Sequence, residues 1–452
     1  MPITPQAYAP ARPLLSLGSD FWDPVAPAAF PETRLRFRND RAAAEVGLAD
    51  LTDEEWTRHF GRFTPLPDTL PQPLALRYHG HQFRQYNPDI GDGRGFTFAQ
   101  LRDDQGRLKD LGTKGSGQTP WSRFGDGRLT LKGAVREILA TEMLEALNVP
   151  TSRTLSVIET GEELHRGDEP SPTRSAVLVR LSHGHIRIGT FQRLAYLRDE
   201  ANMRRLTAYV LGELYGEPGD DPVRLLTHVV GRTATLAARY MAASFVHGVL
   251  NSDNINVTGE SFDYGPWRFA PTWDAQFTAA YFDHAGLYAF GRQPEAIGWD
   301  VAQLAAALRL IADSDPLIAA LEGFAPAFQA ALPPAILWRL GRAPVDTATD
   351  RATVRTVEAT LRNTQAPLDR FFFDAFATDL PPDYGLEWDS VRAALAAHPP
   401  RRARDAGYWS ASPCSMQIAE VEALWAPIAT DDDWAPLEAK IAAIRAMGAA
   451  LA

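Results

Sequence analysis

The chain has 452 residues, of which 45% are hydrophobic and 22% are charged, a balance typical of folded globular proteins and not of disordered or fibrous ones. That length corresponds to two or three domains or lobes with a sizeable core. The 45 Lys and Arg residues against 56 Asp and Glu residues give a net charge of −11, which argues against a general nucleic-acid coat or a polybasic membrane surface. Any polyanionic ligand must therefore meet a local cluster of basic side chains.

Cysteine content and hydropathy indicate the cellular compartment in which the protein is expected. The chain has one cysteine, Cys414, which excludes an internal disulfide framework and a multi-cysteine metal site, as expected in a reducing compartment. The first residues lack the pattern of a signal peptide, and no stretch approaches the roughly 18 to 20 apolar residues that span a bilayer. We therefore expect a cytoplasmic protein with no nucleic-acid or membrane partner.

The first half of the chain is predicted to be rich in strands. Residues 1–34 are proline-rich and are predicted to form an extended arm that wraps a folded body. Residues 35–60 have a helical pattern. From Leu74 to Asp126, short apolar runs separated by glycines are typical of strands and turns.

One helix and two further strands follow. Residues 132–150 (KGAVREILATEMLEALNVP) place apolar side chains three and four positions apart, which predicts a helix that ends before Pro150. The β-branched and leucine-rich runs TLSVIETG and SAVLVRLS are predicted strands. From about residue 190 the pattern is helical almost to the end, interrupted by a polar, turn-rich segment that begins at His247.

This order of elements predicts an α+β fold with two lobes. A sheet-rich N-lobe would cover residues 35–187 and a mainly helical C-lobe residues 188–452, because the strand pattern ends near position 187. The interface between such lobes is a favoured place for a ligand cleft.

Two glycine-rich turns carry the first chemical signals. GDGRG at 91–95 offers unobstructed backbone amides and a guanidinium that suit a phosphate chain, although a plain hairpin turn would read the same way. GTKGSGQT at 112–119 is not a P-loop, because Gln118 stands where lysine is needed. Lys114 nevertheless ends a predicted strand, and Glu137 follows 23 residues later on the predicted helix. In protein kinases, the lysine that holds the nucleotide phosphates lies on a strand and pairs with a glutamate on a helix in the same way.

The polar segment has the length of a kinase catalytic loop. Counting from His247, Asn254 falls on the metal-binding asparagine, whereas Val249 occupies the position of the kinase base and cannot take a proton. Asp263, followed by Tyr and Gly, resembles the kinase aspartate that holds magnesium. Amide and carboxylate oxygens suit that ion, although Asn and Asp also cap ordinary turns. The pattern predicts the metal ligands of a kinase without its base.

Several motifs resemble those of the selenoprotein O family, whose members are pseudokinase-fold protein adenylyltransferases. They are YHGHQF, GDGRG, LGTKGSGQTPWSRFGDGR, VREIL, HIRIGTFQR and GVLNSDNINVTGESFDYGP, between about residues 24 and 295. The resemblance implies a protein-kinase-like fold that binds ATP reversed relative to a kinase, so that AMP passes to a protein hydroxyl. Its partners would be ATP and proteins with acceptor Ser, Thr or Tyr residues.

The same resemblance implies a role for each matching residue. Asp253 would be the proton acceptor, with an ordinary pKa, and Asn254 and Asp263 would hold Mg²⁺ or Mn²⁺. The positions that match the family's nucleotide-binding residues are Gly91, Gly93, Arg94, Lys114, Asp126, Gly127, Arg180, Arg187 and Asp263, and Glu137 would form the ion pair with Lys114. Arg and Lys side chains offset the charge of a triphosphate, and guanidinium groups fix its orientation.

Three alternatives remain open from the sequence. The same site could transfer UMP from UTP, since nothing in the sequence specifies the base. A non-catalytic nucleotide-binding pseudokinase scaffold is a second reading, and a phosphotransferase that uses Asp253 as its base is a third. Family members often end with a redox-active selenocysteine or cysteine pair, which this tail lacks, so redox control through a terminal disulfide is not expected.

Overall fold

A computed structural model of the chain describes residues 7–167, 169–404 and 407–452. Residues 1–6 of the predicted arm lie outside the described residues. The strands are β1 (Ala9–Ala11), β2 (Trp22–Pro24), β3 (Arg34–Arg38), β4 (Leu74–Leu76), β5 (Gly80–Gln82), β6 (Gln85–Asn87), β7 (Thr97–Arg102), β8 (Leu108–Lys114), β9 (Leu129–Thr130), β10 (Arg153–Leu164), β11 (Thr173–Ser182), β12 (Phe245–Val246) and β13 (Arg268–Phe269).

Most of these strands form one antiparallel sheet. Its order is β2-β4-β7-β8-β11-β10-β3, with β1 added to β7 and β9 added to β11. Alternate residues of a strand point to opposite faces, and in β11 Val177 and Val179 pack into one apolar cluster while Ala176 and Leu178 pack into another. The central strands are therefore covered on both faces, which explains their unbroken apolar runs.

The N-terminal third differs from the prediction in two places. Residues 34–38 form strand β3, which pairs with β10, so the helical prediction was wrong over 35–38. The sequence RLRFR alternates charged and apolar residues, which is the period of a strand. Within the segment predicted as an extended arm, β1 and β2 belong to the sheet, because they pair with β7 and β4.

The helices dominate the chain after β11. They are α1 (Asp40–Glu45), α2 (Asp53–Phe60), α3 (Leu131–Ala146), α4 (Ile188–Leu197), α5 (Glu200–Tyr209), α6 (Pro222–Ala243), α7 (Gln293–Leu308), α8 (Ser314–Glu322), α9 (Phe324–Arg339), α10 (Thr347–Thr364), α11 (Leu368–Ala375), α12 (Asp389–Ala396), α13 (Ile418–Asp431) and α14 (Ala435–Leu451). None of the helices in the described ranges is both long and apolar enough to cross a membrane. The mixed fold of one large antiparallel sheet and many helices is confirmed.

Helix α3 is the element that the sequence predicted most closely. The Thr130 side chain accepts a hydrogen bond from the Gly133 amide and caps its N-terminus, and the helix ends before Pro150 as predicted. Helix α14 packs against it from the end of the chain, and Arg445 donates to both carboxylate oxygens of the buried Glu142 at 2.8 and 2.6 Å. The C-terminal helix is thereby fixed to α3.

Candidate active site

A cleft of about 620 Å³ lies where the glycine-rich turns of the sheet meet the polar segment between α6 and α7. The predicted site residues that line it are Gly91, Gly93, Arg94, Lys114, Asp126, Gly127, Arg180, Arg187, Asp253 and Asp263. Glu137 reaches this group through Lys114, and Asn254 follows Asp253 in the chain without lining the cleft. The structure therefore brings residues from five separate segments of the sequence to one place.

The two glycine-rich turns hold each other in place. A Cβ atom on Gly91 would lie 2.5 Å from Cγ of Trp121, so only glycine fits under that ring. The indole Nε1 of Trp121 donates to the Asp23 carboxylate at 2.9 Å, and the Ser122 hydroxyl donates to the carbonyl of Gly93. The loop after β8, which carries Trp121 and Ser122, and the turn before β7 therefore form one wall of the cleft.

Lys114 is shared between two carboxylates. It is the last residue of β8 and is 4% exposed, and its Nζ donates to Oε1 of Glu137 on α3. The same nitrogen lies 2.8 Å from Oδ1 of Asp263. The strand lysine and helix glutamate predicted as a pair are thus in contact, and a third group from the polar segment joins them.

The charge of Asp263 is stabilised by its surroundings. Burial alone would raise the pKa of this carboxyl, but Lys114 and Arg180 outweigh it and hold that pKa well below its ordinary value. Its backbone has φ +64°, a left-handed conformation that is uncommon for residues other than glycine. Asp263 is therefore an ionised carboxylate that is held in a specific orientation.

Two buried arginines leave donor groups unused. The Nε of Arg180 donates to Nε2 of His185 at 3.0 Å, and Asp110 lies 3.3 Å from the other ring nitrogen. Arg187, at the start of α4, donates to the Tyr78 hydroxyl at 2.9 Å and lies 3.1 Å from Asp92. Within the described part of the chain, one terminal nitrogen of Arg180 and Nε of Arg187 have no hydrogen-bond partner. Such groups suit an anion in the cleft.

Cations outnumber acids around the cleft. The cationic lining residues are Arg94, Lys114, Arg123, Arg128, Arg166, Arg180 and Arg187, and the acidic ones are Asp92, Asp126, Asp253 and Asp263. Seven positive against four negative side chains line the cleft, and when Glu137 and Glu162, the partners of Lys114 and Arg128, are added the balance is seven against six, still positive in a protein whose net charge is −11. This is the basic cluster that a polyanionic ligand requires.

Three of these arginines, Arg123, Arg128 and Arg166, were not predicted as site residues from the sequence. Arg166 lies in the charged connector between β10 and β11, which reads as a solvated loop, yet its guanidinium pairs with both oxygens of Asp126 at 2.8 and 3.1 Å. Arg128 is the last residue of a further glycine-containing turn, GDGR at 125–128, and forms a bidentate pair with Glu162. Arg123 lies two residues before that turn and has no local sequence signal. Only the pairing of β10 with β11 places the connector beside the cleft.

Asp253 is a buried carboxylate with an unpaired oxygen. It lies in a short 3₁₀ turn, Ser252–Asn254, and is 8% exposed, and its Oδ1 has no hydrogen-bond partner among the described residues. Burial raises the pKa of Asp253 to about 6, although the nearby Arg187 opposes the shift. The expectation of an ordinary pKa was wrong, because the sequence does not reveal how deeply this residue lies.

The donor set beside Asp253 fits a magnesium ion that is shared with phosphates. The Asn254 side-chain nitrogen donates to the carbonyl of Val249 at 3.1 Å, so its Oδ1 is the atom that would coordinate a metal. Across the described ranges, no group of three or more His, Cys, Asp or Glu side chains could enclose a metal on its own. An amide oxygen and a carboxylate match the hard-oxygen preference of Mg²⁺, which usually keeps waters and substrate phosphates as its other ligands.

Comparison with known proteins agrees with this site. The family model described as protein adenylyltransferase SelO matches residues 4–385. The protein nucleotidyltransferase YdiU of Synechococcus elongatus is 43% identical, and the match covers 96% of this chain and 93% of that protein. The YdiU proteins of Synechocystis and Gloeobacter violaceus are 42% and 41% identical, over 95% and 98% of this chain and 96% of each relative. The chain belongs to the SelO family of protein adenylyltransferases.

Proposed function

We propose that the chain transfers AMP from ATP to Ser, Thr or Tyr hydroxyls of other proteins and releases pyrophosphate. The observation that carries this proposal is Asp253, a buried carboxylate in the cationic cleft whose Oδ1 has no hydrogen-bond partner within residues 7–167, 169–404 and 407–452. The kinase-base position holds Val249, so a different residue must accept the proton of the attacking hydroxyl. Family membership supports transfer of a nucleotide to a protein.

The side chains suggest how the nucleotide is held. Arg94, Lys114, Arg180 and Arg187 neutralise the triphosphate, and the glycine turn at 91–95 lets its backbone approach the phosphates. In the orientation proposed for the family, the γ-phosphate lies deepest and the α-phosphate faces Asp253. Ionised arginines that are fixed in advance by other contacts stabilise charge without having to reorganise during the reaction.

The proposed step conserves atoms and charge. The acceptor hydroxyl gives its proton to the Asp253 carboxylate as its oxygen forms a bond to the α-phosphorus. The bond between the α-phosphorus and the bridging oxygen breaks, and pyrophosphate leaves with the electron pair. Asn254 and Asp263 would hold Mg²⁺ or Mn²⁺, which would neutralise charge on the phosphate oxygens.

We infer a protein-kinase-like, two-lobed arrangement for the fold. The contact between Lys114 and Glu137, together with the later Asn254 and Asp263, supports it, because these elements occur in kinase order. The predicted arm at 1–34, N-lobe at 35–187 and C-lobe at 188–452 stay predictions, as does the cytoplasmic location.

The test uses ATP labelled at either the α- or the γ-phosphate, with Mg²⁺ and β-casein as a hydroxyl-rich protein acceptor. We expect label from the α-position alone, lost in Asp253→Ala and Asp263→Ala, lost with a chelator, and retained in Asp313→Ala, which removes an exposed carboxylate. Label from the γ-position would refute AMP transfer. A parallel reaction with α-labelled UTP decides the nucleotide, and UTP transfer in place of ATP transfer would contradict the proposal. Nucleotide binding without any transfer would favour the scaffold alternative.

A further inference from the structure

Three exposed aromatic side chains, Phe83, Tyr281 and Phe282, form a continuous surface that we call the aromatic platform. Tyr281 is 78% exposed, Phe282 41% and Phe83 37%. The rings of Phe83 and Phe282 have centroids 5.8 Å apart, and those of Tyr281 and Phe282 are 5.1 Å apart. Single exposed apolar residues are ordinary on protein surfaces, but a contiguous aromatic patch marks a contact surface.

The platform is attached directly to the segment that carries Asp253. Oδ1 of Asn251 accepts hydrogen bonds from the Phe83 amide at 3.0 Å and from the Tyr288 hydroxyl at 2.7 Å. The Tyr288 ring packs against Phe83 at 5.1 Å. The hydroxyl of Ser252 accepts a hydrogen bond from the backbone amide of His81 at 2.7 Å, on the strand that leads to Phe83. The residues on the N-terminal side of Asp253 therefore fix the position of the platform.

The platform also contains an unfavourable backbone conformation. Strands β5 and β6 form a hairpin whose two-residue turn is Phe83-Arg84, with φ +50° and +63°. Turns with two positive φ angles favour Asn-Gly, and a bulky aromatic residue is disfavoured there. The Phe83 ring is 37% exposed and packs against Phe282 and Tyr288, and these contacts offset only part of this cost. Strained residues of this kind concentrate at sites of binding and catalysis.

We propose that the aromatic platform docks the acceptor segment of the protein substrate through an aromatic or branched aliphatic side chain near the acceptor hydroxyl. This inference rests on the proposed function. A protein acceptor must approach Asp253, and the platform is exposed apolar surface continuous with the segment that carries Asp253. Aromatic rings supply large contact area with few side-chain torsions to order, which is why they serve as anchors in protein interfaces.

The test compares two platform variants with a matched surface control. Phe83→Asn removes one ring and installs a residue suited to the left-handed turn, and Tyr281→Ser removes the most exposed ring. Leu386→Ser is the control, because Leu386 is 84% exposed and, like the platform residues, lies outside the cleft lining, but it is not part of the platform. For each protein we would measure the KM and kcat for β-casein with α-labelled ATP, the Kd for ATP, and the Tm.

We expect a rise in the KM for β-casein of about five- to thirtyfold in both platform variants, the effect typical of truncating an aromatic interface anchor. The Kd for ATP should stay unchanged in both, the Tm of Phe83→Asn should not fall, and Leu386→Ser should match the wild type. An unchanged KM in both platform variants would overturn the inference while leaving the proposed function intact. Absence of α-label transfer by the wild type would instead refute the proposed function and this inference together.

Discussion

Replacing Asp253 with asparagine is expected to stabilise the protein while abolishing transfer. Burial raises the pKa of this carboxyl from 3.8 to about 6, so its ionised form is disfavoured in the folded state. Above both pKa values this difference between the unfolded and folded states corresponds to a cost of about 3 kcal/mol in the free energy of folding. Asparagine has nearly the same shape and no charge to bury, so Asp253→Asn should recover most of that cost.

The expected gain depends on pH in a defined direction. A carboxyl whose folded-state pKa is raised carries no cost below its unfolded pKa of 3.8, a growing cost between 3.8 and about 6, and the full cost above that. The difference between Asp253→Asn and wild type should therefore be about 3 kcal/mol at pH 7.5 and about half of that at pH 5. With an unfolding entropy of about 2.1 cal/mol/K per residue over 452 residues, the larger gain corresponds to a Tm increase of about 3 °C.

Thermal unfolding of the metal-free and nucleotide-free proteins measures this effect. A chelator in the buffer matters, because an ion near Asn254 would itself favour ionised Asp253. Asp313→Asn removes an exposed carboxylate and should leave the Tm within about 1 °C of wild type at both pH values. A Tm of Asp253→Asn equal to or below that of wild type at pH 7.5, or a gain that is the same at pH 5, would refute the argument that burial of an ionised carboxylate destabilises the fold.

Three further substitutions test other contacts. Lys114→Met should weaken ATP binding by about ten- to a hundredfold, because it removes a charge-assisted contact to the nucleotide and leaves Asp263 without its nearest cation. A titration with a fluorescent nucleotide measures this affinity, and an unchanged affinity would exclude Lys114 from the nucleotide site. Arg187→Lys should lower kcat/KM for transfer by tenfold or more, because a lysine ammonium cannot reproduce the planar guanidinium that contacts the three partners of Arg187. An Arg187→Lys enzyme with the kcat/KM of the wild type would contradict this prediction. Arg445→Met should lower the free energy of unfolding by about 2 kcal/mol, because among the described residues the buried Glu142 then keeps only the longer contacts from Arg41 and Asn39. Denaturant unfolding measures this loss, and a Glu142→Gln, Arg445→Met double variant should recover part of it.

Much of the site could be predicted from local sequence. Lys114 and Glu137 were readable because a strand end and an amphipathic helix both leave clear periodic patterns, and the spacing from His247 to Asn254 is a property of the chain itself. The helical prediction was wrong over 35–38, because the helical pattern that begins after Arg38 lies directly beside a short strand-like alternation. Arg166 and the raised pKa of Asp253 were out of reach, since each depends on tertiary contacts: one on the pairing of β10 with β11, the other on burial beneath β5.

The aromatic surface was also out of reach from the sequence. Phe83 is the last residue of YHGHQF, a motif that resembles the selenoprotein O family, and nothing in the neighbouring sequence distinguishes its ring from that of a buried residue. Tyr281 and Phe282 are about 200 residues further along the chain. The ring contact between Phe83 and Phe282, and the hydrogen bonds that Asn251 accepts from Phe83 and Tyr288, show that these segments meet close to Asp253 in the fold.

Because Trp121 packs over Gly91, substitutions at these two positions of the cleft depend on each other. The ring fills the space where a side chain at position 91 would extend, so neither position can vary freely while the other stays fixed. Gly91→Ala alone should misplace the indole ring and break its hydrogen bond to Asp23, whereas the same change beside a smaller residue at position 121 would meet no obstacle from that ring. We therefore expect substitutions in this wall of the cleft to be tolerated in pairs, so that related proteins with a different residue at position 91 also have a smaller residue at position 121.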